Sequence, residues 1–93
     1  MTIGLLEMDF LIPEARSLKD KRRVMKSLKQ LLRNRFNCSV AEIGFTETWG
    51  RSRLAACVVS GDNRHANQQL NEIARFSANK SGLELLDYRI EML

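Results

Sequence analysis

Residues 15–36, ARSLKDKRRVMKSLKQLLRNRF, form one uninterrupted amphipathic segment, and reading it as a helix decides the architecture of the rest of the chain. Ser17 followed three positions later by Asp20 resembles a capping box, with Asp in place of the usual Glu or Gln, and sets the helix start near Leu18. At 100° per residue, Leu18, Val24, Met25, Leu28, Leu31, Leu32 and Phe36 share one face. Lys19, Arg22, Arg23, Lys26, Lys29 and Arg33 fall in an opposing arc about 120° wide. Lys21 and Arg35 lie within the apolar arc near its ends, where a long aliphatic stem can be buried while the charge snorkels out or meets a carboxylate. A helix with one apolar stripe has to cover something, and the flanking sequence supplies a sheet.

Upstream, residues 3–12 alternate as a strand: Leu6, Met8, Phe10 and Ile12 make an apolar face, Glu7 and Asp9 point the other way, and Pro13 ends the pairing. Downstream, residues 38–45 and 53–60 read as two strands joined by the turn-prone TETWGRS in a hairpin with a longish loop. Gly61-Asp62-Asn63 offers the N-cap of a second helix closing near Gly82, with Ala66, Leu70, Ile73, Ala74 and Ser77 on its inner face and an amide-rich outer face. Residues 83–92 alternate again, Leu86, Tyr88, Ile90 and Met92 against Asp87, Arg89 and Glu91. The order βαββαβ predicts an α+β ferredoxin-like sandwich, a four-stranded antiparallel sheet in spatial order 4-1-3-2 with both helices on one face.

Length and composition bound the remaining possibilities. Ninety-three residues suit a single domain with one core, and 44% hydrophobic with 28% charged residues is ordinary for a folded globular chain. The opening MTIGLLEMDFLI lacks a basic leader region, carries Glu7 and Asp9, and is too short to span a bilayer, so a cytoplasmic protein without membrane attachment is expected. Cys38 and Cys57 lack metal-ligand spacing and are read as small core residues rather than a disulfide. Charge is distributed unevenly: the quoted stretch holds nine of the fifteen basic residues and one acid, a local charge of +8 in a chain of net charge +4.

Several runs carry a family resemblance. Ala15 to Arg23, the segment Arg33 to Glu42, and Val58-Val59-Ser60 ahead of Asp62 are similar to the YlxP-like family of small bacterial proteins, whose function is undefined. The similarity spans essentially the whole chain. It implies a ferredoxin-like fold, brings no catalytic or binding residue, and carries only a loose link to translation through genes that sit among ribosome-assembly and initiation factors.

The residues themselves favour a binding role over a catalytic one. Lys19, Arg22, Arg23, Lys26, Lys29 and Arg33 could together neutralise several phosphates, with a log-log salt slope of about −4 to −5 on a duplex if all six engage. RNA or a ribosomal subunit is therefore the expected partner, against the plainer reading of a solvated helix face. Aromatic stacking on the central strands, the common RNA-binding mode of this fold, is not expected, since the third strand reads Arg53-Leu54-Ala55-Ala56-Cys57-Val58 and the open sheet face is expected to be net acidic. RNA should approach the helix layer through its backbone, with little sequence preference. The same open face is expected to show Ile3, Leu5, Leu83 and Leu85, enough aliphatic surface to suggest a homodimer or higher oligomer. An alternative class is an oligomeric interaction or regulatory module that takes a protein or small ligand in an intersubunit groove.

No catalytic residue, metal site or cofactor is proposed. His65, the chain's one histidine, has no ligand cluster around it, and the exit from the first strand lacks the glycine-rich loop of the small phosphatases that share this fold. Glu7 and Asp9 share a strand face, where carboxylates are usually solvated or salt-bridged. Trp49 and Arg51, in the hairpin loop, are the other feature singled out, read either as an interface anchor or as packing over the sheet edge.

Overall fold

The computed structural model describes residues 1–93 and orders them as β1 (Thr2–Leu11), α1 (Leu18–Arg35), β2 (Ser39–Gly44), β3 (Arg51–Ser60), α2 (Asn63–Ala78) and β4 (Glu84–Met92). Local chemistry starts both helices. The Ser17 hydroxyl accepts from the Asp20 N–H at 3.1 Å, and the Asp20 carboxylate accepts in return from the Arg16 N–H at 3.0 Å, one residue before the position that a standard capping box uses. Asp62 caps α2 by accepting from the Arg64 N–H at 3.0 Å.

The four strands pair antiparallel in the order β2-β3-β1-β4, which is the expected 4-1-3-2 read from the other edge. Leu6, Met8 and Phe10 of β1 and Leu54, Ala56 and Val58 of β3 join Met25, Leu28 and Leu32 of α1 and Ala66, Leu70, Ile73 and Ala74 of α2 in one core cluster, so both helices cover the same face. Most of a helix's stability in a protein comes from packing its apolar face rather than from its intrinsic propensity. Burial of α1's apolar stripe secures this helix, at about 1.5–3 kcal/mol for each large side chain fully removed from solvent. α2 approaches β1 closely at Gly4, where a Cβ would stand 2.7 Å from Leu70 Cδ1. A side chain at Gly4 would overpack the sheet–helix interface.

β4 departs from simple alternation. Asp9 is opposite Asp87 while Phe10 is opposite Leu85, so Leu86 is the extra residue of a β-bulge. The bulge resets the facing of everything before it. Leu83 and Leu85, expected on the open face, instead pack against the core alongside Ile90 and Met92, while Leu86 and Tyr88 are exposed. Cys57, opposite Leu5, faces the open side rather than the core, whereas Cys38 packs against the core; both thiols are free. No helix is long and apolar enough to cross a membrane.

Candidate functional site

On the solvent side of α1, Lys19, Arg22, Arg23, Lys26 and Arg33 are exposed and Lys29 is half-buried. None of the six meets a carboxylate: the ion pairs of the molecule involve Lys21, Arg53 and Arg89. The helix packs beside β2, an edge strand, and between them runs a groove of about 380 Å³ bordered by Arg22, Lys26, Lys29, Gln30, Arg33 and Glu42. The structure therefore divides the stripe. Arg22, Lys26, Lys29 and Arg33 are brought together along the groove. Arg23 turns away, towards a hollow shared with Glu14, Asp20 and Gly82, and Lys19 stands free on the first turn. Arg33 has a second task, donating to the Val40 carbonyl at 3.0 Å, an acceptor on the outer edge of β2 that no strand covers.

Lys21, the lysine placed within the apolar arc, has a fully buried side chain. Its ammonium lies 3.0 Å from Glu42 Oε2 and donates to the carbonyls of Phe45 (2.7 Å), Arg51 (3.3 Å) and Thr46 (3.4 Å). Ser52 Oγ donates to the same Glu42 oxygen at 2.6 Å. The one carboxylate bordering the groove is thus committed to the interior and does not neutralise the cations in front of it. Phe45 takes a left-handed conformation (φ 58°), which helps aim its carbonyl at Lys21, and the Gly50 carbonyl accepts from the Ile12 N–H at 2.9 Å. The β2–β3 loop is consequently tied to α1 and to the end of β1, and it presents Trp49 with 48% of its surface exposed. A positively charged residue at an apolar helix position signalled this network in the sequence; its three carbonyl partners left no local signal.

The open sheet face carries an ionic ladder. Arg53 holds Asp9 at 2.6 Å, and Arg89 bridges Glu7 at 2.9 Å and Asp9 at 3.6 Å. The hydrogen bond from Arg53 is the main cause that holds the Asp9 carboxyl below the usual aspartate range, helped by the charges of Arg53 and Arg89 and opposed by burial. Glu7 and Asp9 are accordingly occupied as ion-pair partners. Ile3 and Leu5 do lie on this face, half-buried, next to Val59 and Cys57.

His65 is exposed at the rim of a cleft of about 420 Å³ between the helices, with Arg35, Phe36, Gln68, Gln69 and Glu72. Phe36 meets Phe76 edge-on, with centroids 6.0 Å apart, and Arg35 lies over the Phe76 ring at 5.2 Å. No group of three or more His, Cys, Asp or Glu side chains is placed to hold a metal ion.

The element order, the single-faced helix layer and the groove of unpaired cations define a small α+β protein of the ferredoxin-like type whose charge is gathered beside one sheet edge. Residues 3–90 match the family model described as "Protein of unknown function (DUF503)", and the chain belongs to that family. It is similar to the "Uncharacterized protein YlxP" of Bacillus subtilis (strain 168), with 35% identity over 74 residues covering 80% of each chain. Neither description names a reaction or a ligand.

Proposed function

We propose that the protein is a non-enzymatic accessory factor that contacts RNA, either free or within a ribosomal subunit, through the basic groove between α1 and β2. One observation carries this reading: Arg22, Lys26, Lys29 and Arg33 line a single groove and none has a carboxylate partner. Unpaired cations held this close repel one another, and a polyanion relieves that repulsion while releasing its own counterions. The open sheet face, by contrast, has its guanidinium groups Arg53 and Arg89 tied to Asp9 and Glu7.

The test is a titration of purified ribosomal RNA against the protein at several salt concentrations, repeated with the triple change Arg22→Glu, Lys26→Glu and Lys29→Glu. Arg33 is left in place because it braces Val40. Affinity should fall with salt and drop on the order of 100-fold in the variant. Equal binding by the two proteins would overturn the reading.

A second reading rests on the patch of Ile3, Leu5, Cys57 and Val59, of which Val59 is 66% exposed. A second copy covering this patch would give a homodimer with both basic grooves free, and two grooves on one particle bind a long polyanion more tightly than one.

A further inference from the structure

We infer that the RNA recognised by this groove is unpaired, and that Trp49 supplies a stacking platform for one of its bases; this rests on the reading given under Proposed function. The groove and the loop that carries Trp49 are parts of one structure. Lys21 sits in the groove wall next to Arg22, and its ammonium holds the loop by the carbonyls of Phe45, Thr46 and Arg51. Two further bonds fix the loop, Ile12 N–H to the Gly50 carbonyl at 2.9 Å and Thr48 N–H to the Phe45 carbonyl at 3.0 Å. Trp49 is flanked by these anchored positions, and its ring is nevertheless about half exposed. A large aromatic held out on a braced loop binds at small cost in ordering, because the loop is already fixed before a ligand arrives.

The surroundings select the occupant. One free guanidinium stands on the loop's flank: Arg51 lies over the Phe45 ring at 4.7 Å from its centre and has no carboxylate partner, whereas Arg53, 5.3 Å from the same ring, is held by Asp9. Glu47 is the single carboxylate in residues 45–50. An exposed indole on a loop that Lys21 ties to the wall of a basic groove matches a nucleic acid strand whose bases are free to turn outwards. A duplex keeps its bases stacked inside and would use the groove without the indole.

Trp49 is the chain's one tryptophan, so its fluorescence reports the contact directly. The experiment titrates end-labelled single-stranded oligouridylate and a duplex RNA of equal length, at several salt concentrations, with the parent protein and the variants Trp49→Ala and Trp49→Phe, reading affinity from the anisotropy of the label and the contact from the parent's Trp49 emission. The single strand should quench the Trp49 emission and bind the parent more tightly than the duplex does. Trp49→Ala should weaken single-strand binding about tenfold or more while leaving duplex binding and its salt slope unchanged, and Trp49→Phe should recover most of the loss. Single-strand binding without quenching, or equal weakening of both RNAs by Trp49→Ala, would overturn the stacking inference and leave the groove reading standing. Failure of both RNAs to bind the parent would overturn both. A Trp49→Ala change that alters the particle mass and not RNA affinity would assign the indole to a protein contact and overturn the inference.

Discussion

Lys21 shows how one residue can belong to a basic run and yet contribute nothing to its surface charge. Its side chain sits at an apolar position of α1, and the interior meets its charge with Glu42 and three carbonyl oxygens. Replacing it by Met preserves the approximate volume but strands those acceptors and leaves Glu42 without its cation. Lys21→Met should therefore lower stability by about 2–4 kcal/mol. In a domain of this size that corresponds to a fall of roughly 10–25 °C in melting temperature. Thermal denaturation followed by circular dichroism checks this, and a loss of under about 1 kcal/mol would mean that the carbonyls find water instead. The sequence placed Lys21 inside the apolar arc with a carboxylate among its possible partners. It could not name Glu42, because that pairing depends on how β2 docks beside α1.

At the scale of elements, helices and the even face of β1 were legible because their signal is periodic and local. Every position read as the inner face of α2 is buried, as are Leu6, Met8, Phe10 and Ile12. What escaped was decided between strands. The bulge at Leu86 exists only in the register of β4 against β1, so Leu83 and Leu85 were assigned to the wrong face. Arg53 likewise reaches Asp9 across the β1–β3 pairing, so the face expected to be net acidic, with its carboxylates solvated or salt-bridged, is an ion-paired ladder whose partners only the register names. That ladder has a pH signature. Because the Asp9 carboxyl is held below its unfolded value, its stabilising effect is complete above about pH 5 and is lost as pH falls through the lowered folded value. Asp9→Asn should thus be less stable than the parent at pH 7, and the gap should close in acid. Urea melts at pH 7 and pH 2.5 measure it; a gap of constant size would mean that Asp9 gains nothing from its arginines.

For the whole molecule, the fold sorts surface chemistry by direction. Free cations gather by the β2 edge, paired charges lie across the open sheet, and the aliphatic patch of Ile3, Leu5 and Val59 occupies the rest of that sheet. If two copies meet through this patch, Leu5→Lys should halve the mass seen by light scattering, and an unchanged mass would remove the sheet from the interface. The basic stripe itself was readable as a pattern of residues. Its division was not, since the edge strand that gathers Arg22, Lys26, Lys29 and Arg33 and leaves out Arg23 lies elsewhere in the chain.

The sealed ammonium of Lys21 also separates the lysines into two chemical populations. An amine-acetylating reagent reaches Lys19, Lys26 and Lys29 from solvent, whereas the amine of Lys21 stays enclosed as long as the chain is folded. Acetylation of the native protein would strip positive charge from the stripe and spare the bond network that braces the hairpin loop. Covalent modification can thus remove the lysine share of this surface's charge, leaving that of Arg22, Arg23 and Arg33 and the scaffold beneath them in place.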